Sequence, residues 1–333
     1  MPPPNPSPSP SSSVSISAHT IQGPRNHQED RYTIISHFTA IKDHDASFIA
    51  VYDGHSSFRG SQTASTLLPQ LYASQPAITN ITSTSSNDED VVKAIKKAFI
   101  QADKSIIMEA ADRDENYGTT ATAVLKVDNI LYVAHAGDSR AILVRNGQAI
   151  QLTEDHKPAS VTRERERIEK RGGKILYCRD RVMSNPESGT VNIGASGAIG
   201  GGGGSSSTND GDEGTTATTT KAIRKASNLN MSRALGDLSH KLPRKLVTAE
   251  PDVLKVELER GEDEAVILAT DGLTDVVSLE QAALVITKAL EIGGDRGIRG
   301  EEVAEKAAKA LVEVAEMQGV MDNATALVMM LKW

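Results

Sequence analysis

A single cysteine, Cys178, stands among 333 residues, which excludes an internal disulfide and a thiolate metal cluster. Such a chain suits a reducing compartment. Basic residues are also scarce: 36 Lys and Arg against 44 Asp and Glu leave a net charge of −8 at pH 7. A nucleic-acid partner demands a basic face that this balance does not supply. Apolar runs are no longer than strands, so no membrane span is expected. No linker-like stretch parts two self-sufficient halves, and no internal repeat appears, which points to one domain over 15–333. Residues 1–14, almost entirely Pro and Ser, read as a disordered tail. That tail has no apolar secretory core and no arginine before Arg25, so cytoplasm or nucleus is expected rather than the mitochondrial matrix.

What is present is a series of short β-branched runs separated by turns and two long helical patterns. Ser15–Ile21, Tyr32–Phe38 and Phe48–Tyr52 predict three strands, followed by a helix over Gln62–Ala73. Val92, Ile95, Phe99, Ala102 and Ile106 recur at helical spacing and predict a helix over Val91–Ala111. Thr120–Val127, Ile130–Ala136 and Arg140–Val144 form a predicted meander, with Asn146-Gly147 as a hairpin turn. Val161–Arg171 reads as a charged helix stopped by Gly172-Gly173. Residues 191–220 are a Gly/Ser/Thr tract that reads as a flexible insertion. Strands follow at Val253–Leu258 and Ala265–Thr270, then a helix opened by the capping box Ser278-x-x-Gln281. A further helix carries Val303, Ala307, Ala310, Val314 and Met317 on one face, and Ala324–Leu331 is the last strand. Strand runs interleaved with long helices predict antiparallel sheets covered by helices.

The acids have an informative placement. Asp53 closes the run Ser47–Tyr52, and Asp271 closes Ala265–Thr270. Asp138 follows Leu131–Gly137, and Asp322 precedes the terminal strand. Four carboxylates at the ends of buried strands can converge on one rim of a sheet stack, where hard divalent cations find oxygen ligands. The bland reading of each aspartate taken alone is a turn residue facing solvent.

Motifs in order sharpen the choice. The chain shows Arg25-x-x-x-Glu29-Asp30, Asp53-Gly54-His55, Gly118-Thr-Thr-Ala-Thr122 and Gly137-Asp-Ser-Arg140. Then come Leu152-Thr-x-Asp-His156-x-Pro158, Ser232-Arg-Ala-Leu-Gly-Asp237, Asp271-Gly-Leu-x-Asp275 and Asp322-Asn323. Together these resemble the metal-dependent type 2C Ser/Thr protein phosphatases from about Ala18 to Trp333. The segments Glu29-Asp-Arg31 and Arg165-Glu-Arg-Ile168…Gly172-Gly173 look most like the branch of the mitochondrial branched-chain ketoacid dehydrogenase phosphatase.

The resemblance implies an α+β fold, an α-β-β-α sandwich of two antiparallel sheets flanked by helices, around a binuclear Mg²⁺ or Mn²⁺ centre. It implies that Asp53 bridges both ions, that the Gly54 carbonyl ligates one, and that Asp271 and Asp322 complete the other. Glu29 and Asp30 would act through waters, and Asp138 with Asp271 would form a weaker third site. The implied reaction is direct attack of a metal-bridging water on phosphoserine or phosphothreonine, by a monomer acting on phosphoproteins. Arg25 would offer a planar fork to the phosphoryl oxygens, and His55 would protonate the leaving alkoxide. Asp155-His156 and Arg233…Asp237 read as loop-holding residues. Cysteine-phosphatase chemistry is excluded, because the arginine of Cys-x5-Arg is replaced by Ser184. The competing readings are a catalytically inactive binding protein of the same fold, which intact Asp53, Asp271 and Asp322 oppose, and a two-metal nuclease, which the acidic balance opposes. Two departures from the family pattern stand out: Ser56-Ser57-Phe58 after Asp-Gly-His, and the insertion ahead of Ser232, at the expected flap beside the site.

Overall fold

The computed structural model describes residues 14–81, 88–173, 175–178, 181–183, 229–297 and 300–332. The N-terminal half runs β1 (Val14–Ile21), β2 (Arg31–Ile35), β3 (Ala46–Tyr52), β4 (Gly54–His55), α1 (Arg59–Ala73), α2 (Pro76–Thr79) and α3 (Asp88–Asp112). The middle holds β5 (Gly118–Thr119), β6 (Ala121–Val127), β7 (Ile130–Ala136), β8 (Arg140–Arg145), β9 (Gln148–Gln151), α4 (Thr162–Lys170), β10 (Leu176–Cys178) and β11 (Arg181–Met183). After them come β12 (Leu235–Gly236), α5 (Leu238–Lys241), β13 (Asp252–Glu257) and β14 (Asp263–Ala269). The chain finishes with α6 (Asp271–Thr274), α7 (Leu279–Arg296), α8 (Gly300–Met317) and β15 (Ala324–Leu331). The expected insertion at 191–220 and residues 1–13 of the expected tail lie outside the described residues; Val14 is already in β1, opposite Leu331.

Two five-stranded antiparallel sheets carry the fold, in the orders β1-β15-β14-β8-β9 and β13-β7-β6-β3-β2. The inner strands β3, β6, β7, β14 and β15 are buried on both faces, which is why the sequence shows apolar runs there rather than strict alternation. In β3, Phe48, Ala50 and Tyr52 pack toward α1 and α3, while Ile49 and Val51 enter the layer between the sheets. In β14, Ala265, Ile267 and Ala269 pack toward α7 and α8, and Val266 and Leu268 meet Ile49 and Val51 in the middle. The period-two side-chain geometry of a strand thus divides one run between two apolar layers. The result is the expected α-β-β-α sandwich.

The topology places the functional residues on one edge. β3 and β7 both pair antiparallel with β6 and therefore end at the same side of their sheet. β2 starts there too, with Arg31 opposite Tyr52, so Glu29 and Asp30 sit beside Asp53. In the other sheet the end of β14 lies beside the start of β15, and Ile21 at the end of β1 pairs with Ala324.

Local readings agree with the structure where a cap or turn has its own chemistry. Asn146 and Gly147 have φ of 49° and 71°, as a tight hairpin between β8 and β9 requires. Ser278 and Gln281 make both bonds of the capping box. The face of α8 is rotated from the expected one. Val303 and Ala307 are buried, but their companions are Ala304, Ala308, Leu311, Val312 and Ala315, and Met317 is 78% exposed. Small alanines let the helix sit close on β1 and β15, a packing preference that hydrophobicity at helical spacing does not encode.

Candidate metal centre

Gly54 shows how tightly the rim is built. A Cβ there would lie 2.5 Å from the Glu29 carbonyl oxygen and 2.7 Å from Ser61 Oγ, so only glycine allows this approach. Asp53 directly precedes it, with its N–H donated to Thr120 Oγ1 at 3.0 Å and its carbonyl accepting from Thr120 N at 2.9 Å. These bonds fix the backbone and leave the carboxylate to face the other acids.

The predicted ligands come together. Desolvation, followed by the charges of Asp271, Asp30, Asp138 and Asp322, pushes the Asp53 carboxyl well above the usual range. Desolvation and the charges of Asp138, Asp275 and Asp322 do the same to Asp271. Burial raises Asp30 to about 7, although Thr325 and Thr270 donate to its Oδ2 at 2.7 and 2.9 Å. Burial also raises Glu29, whose N–H is held by Asn323 Oδ1 at 2.8 Å. Asp138 is fully buried, and burial raises it against the lowering effect of Lys157.

Several oxygens of this cluster have no hydrogen-bond partner: Asp30 Oδ1, Asp271 Oδ1 and both oxygens of Asp138. Arg25 brings positive charge to Asp322, and Lys157 brings it to Asp138. Buried anionic oxygens that neither accept hydrogen bonds nor share enough positive charge are costly unless a cation meets them. The donor set is all oxygen, which fits a hard divalent ion.

Arg25 reaches the cluster, but its Nη2 is bound to Asp322 Oδ2 at 2.5 Å and its Nε to the Met321 carbonyl at 3.3 Å. His55 stands beside the cluster with Nε2 donated to Asp237, at 2.9 Å from Oδ1 and 3.0 Å from Oδ2. Its buried Nδ1 has no partner. Burial works against charging this imidazole, yet Asp237 outweighs it and the His55 pKa is raised.

Asp237 itself was expected only to hold a loop. It is fully buried, sits at φ 54° in the left-handed region, and is anchored by its N–H to the Tyr117 carbonyl at 2.8 Å. Gly118 makes room for the pair: a Cβ there would lie 2.3 Å from Asp237 Oδ2 and 2.7 Å from His55 Nε2. Next to it, Asp103 accepts from Gly236 N at 2.8 Å and pairs with the buried Lys241. The signal for Asp237 was its place in the ordered motif series; nothing in its local sequence announced His55 as a partner.

A different group, His135, His156 and Asp252, brings its ligand atoms within 4.8 Å of one another. Three of its four ring nitrogens are already engaged. Gly137 N donates to His156 Nδ1 at 3.1 Å, so the proton on Nε2 goes to Asp252 at 3.2 Å. His135 Nε2 donates to the Glu154 carbonyl at 2.9 Å, and burial pulls its pKa down to about 4. Asp252 also accepts from Arg163 and Arg233 at 2.6 and 2.7 Å. These bonds make it a hydrogen-bond cluster that fixes the Asp155-His156 loop.

Comparison with known proteins decides the family, because residues 14–324 match protein phosphatase 2C. The chain belongs to the protein phosphatase 2C family. It is 29% identical over 309 residues to a probable protein phosphatase 2C of Oryza sativa, covering 93% of this chain and 63% of that one. It is 31% identical over 281 residues to protein phosphatase 2C homolog 3 of Schizosaccharomyces pombe, covering 82% and 54%. The chain therefore spans about half to two thirds of the length of these curated relatives. The serine-threonine phosphatase 2C of Toxoplasma gondii shares the fold with a TM-score of 0.73 at 24% identity, covering 95% of this chain and 94% of that one. A sex-determining protein of Caenorhabditis elegans shares it at 0.67 and 21%, covering 96% and 65%. The finer resemblance to the branched-chain ketoacid dehydrogenase phosphatase branch gains no support from these relatives.

Proposed function

We propose that this chain hydrolyses phosphoserine and phosphothreonine in proteins, in a reaction that depends on Mg²⁺ or Mn²⁺. The observation that carries the reading is the set of buried, unpartnered carboxylate oxygens on the rim where both sheets end. Asp53, the Gly54 carbonyl, Asp271 and Asp322 are the proposed holders of two ions, with Glu29 and Asp30 acting through waters and Asp138 belonging to a third, weaker position. When bound, such ions lower the pKa of a shared water and offset charge on the phosphoryl group.

The chain's own groups supply the rest. His55 keeps Nε2–H on Asp237, so the proton for the leaving serine or threonine oxygen comes from Nδ1. The raised His55 pKa favours the protonated ring that this role needs. Arg25, at the mouth beside Asp322, is the proposed clamp on the phosphoryl oxygens. The family supports phosphoprotein substrates, and the single cysteine suits a reducing compartment; action as a monomer in cytoplasm or nucleus is part of the proposal.

The test is hydrolysis of a phosphothreonine peptide with and without Mn²⁺. Wild type should turn over with Mn²⁺ and stop in excess chelator, and Asp53→Asn should lose about a hundredfold or more at saturating Mn²⁺ with its circular dichroism unchanged. Retention of more than roughly a tenth of the activity by the folded variant would remove Asp53 from the residues proposed to hold the ions.

A further inference from the structure

Lys157 follows His156 on the loop after β9 and sends its ammonium into the acid cluster. Its Nζ lies 3.5 Å from Asp138 Oδ2, 3.4 Å from Asp155 Oδ2 and 3.7 Å from Asp275 Oδ1. Asp155 is already held by Arg140, through Nε at 2.8 Å and Nη2 at 2.9 Å. Asp138 is the opposite case. It is fully buried, neither oxygen accepts a hydrogen bond, and Lys157 is its ion-pair contact among the described residues. Asp271 is close enough to act on the lysine as well. Desolvation opposes charge on Lys157, but the carboxylates outweigh it and hold its pKa above the ordinary value. One tethered positive charge therefore faces Asp138, Asp271 and Asp275.

We infer that the Lys157 ammonium competes with divalent cations for an outer position formed by Asp138, Asp271 and Asp275, so that an ion settles there only by displacing the lysine. The inference rests on the metal-centre reading above and adds what sets affinity at its outer edge. An ammonium and a divalent ion a few ångströms apart repel each other strongly in a partly buried site. A lysine stem is flexible, and this side chain is 23% exposed, so the head can swing to solvent when an ion arrives. Until then it sets a positive charge beside the buried Asp138 carboxyl. The position thus fills at higher free-cation concentration than the pair around Asp53, and Lys157 is the reason.

Mn²⁺ binding to the full chain, followed by the electron paramagnetic resonance of free Mn²⁺ at pH 7.5, reads this directly. Lys157→Met should gain an ion at the outer position, its Kd lowered about tenfold or more by removal of the neighbouring charge. Adding Asp138→Asn to that variant should abolish the gain, and Lys157→Arg, which keeps the charge, should titrate like wild type. A Lys157→Met curve that overlays wild type overturns the inference while leaving the metal pair standing. A gain in Lys157→Arg, or one that survives Asp138→Asn, overturns it as well by tracing the effect to packing or to another site. Absence of any Mn²⁺ binding by wild type removes both readings. A second measurement needs no variant: acylation of Lys157 in the wild-type chain, followed by mass spectrometry, should rise as Mn²⁺ passes through the weaker binding range. Labelling that stays flat there overturns the displacement.

Discussion

At the scale of single residues, His55 and Asp237 meet across 182 positions of chain, and the contact assigns the two ring nitrogens different tasks. Because a carboxylate only accepts, Nε2 carries the proton toward Asp237 and Nδ1 is left for the substrate. A general acid matters most for a poor leaving group. His55→Ala should therefore slow a phosphothreonine peptide or phenyl phosphate by about a hundredfold while slowing p-nitrophenyl phosphate far less. Asp237→Asn should reproduce that selectivity in weaker form, since the ring stays but its orientation and charge support weaken. Equal losses on all three substrates in both variants would give the pair a structural role. His55 was readable from its place behind Asp53. Asp237 was not, because a hydrogen bond between residues 55 and 237 depends on β12 pairing with β5.

Among the elements, α4 shows how a surface-like sequence becomes a buried support. Its run Thr-Arg-Glu-Arg-Glu-Arg-Ile-Glu-Lys reads as a solvated charged helix, and the Glu166–Lys170 pair is indeed exposed, at 3.3 Å. Glu164, however, is 1% exposed and accepts from Arg233 Nη2 at 2.6 Å, Ser232 Oγ at 2.6 Å and Arg167 Nη2 at 3.0 Å. It thereby pins the segment that leads into Ala234–Asp237. Burial alone would raise the Glu164 pKa, but Arg233 and Ser232 overcome it and hold it at about 2. Glu164→Gln leaves Arg233 and Arg167 undercompensated and should destabilise the protein by about 3 kcal/mol in urea unfolding. The pH sign follows from the depressed folded pKa. The contribution is complete above the unfolded value near 4.5 and is lost as pH falls toward about 2. The gap between wild type and Glu164→Gln should accordingly be wide at pH 7 and narrow at pH 2.5; a constant gap would count against the network.

For the whole molecule, the sandwich presses like charges together at its open edge, and stability there is set by protons or cations. Burial raises Asp30 to about 7, so its contribution is full below the ordinary carboxylate value near 3.8 and is lost as pH rises through about 7. Metal-free protein should lose stability on this account between pH 5.5 and 8, and Mn²⁺, which needs ionised ligands, should restore it. At a hundredfold excess over Kd the rise in Tm at pH 8 should be roughly 5 °C or more, and clearly smaller at pH 5.5. A shift independent of pH would show that the ions bind outside the acid cluster. The sequence by itself determined the long strands of the two sheets, the long helices, the Asn146-Gly147 hairpin and the placement of Asp53, Asp138, Asp271 and Asp322 at strand ends. Those features follow from side-chain period, turn stereochemistry and caps, which act over a few residues. Only the tertiary structure decided that His55 binds Asp237, that Glu164 is buried under Arg233, that Ala304 and Ala308 replace Met317 on the packed face of α8, and that Lys157 faces Asp138. Each of these depends on which strand edges the topology brings together, and a charged side chain reads the same in sequence whether it meets water or a distant partner.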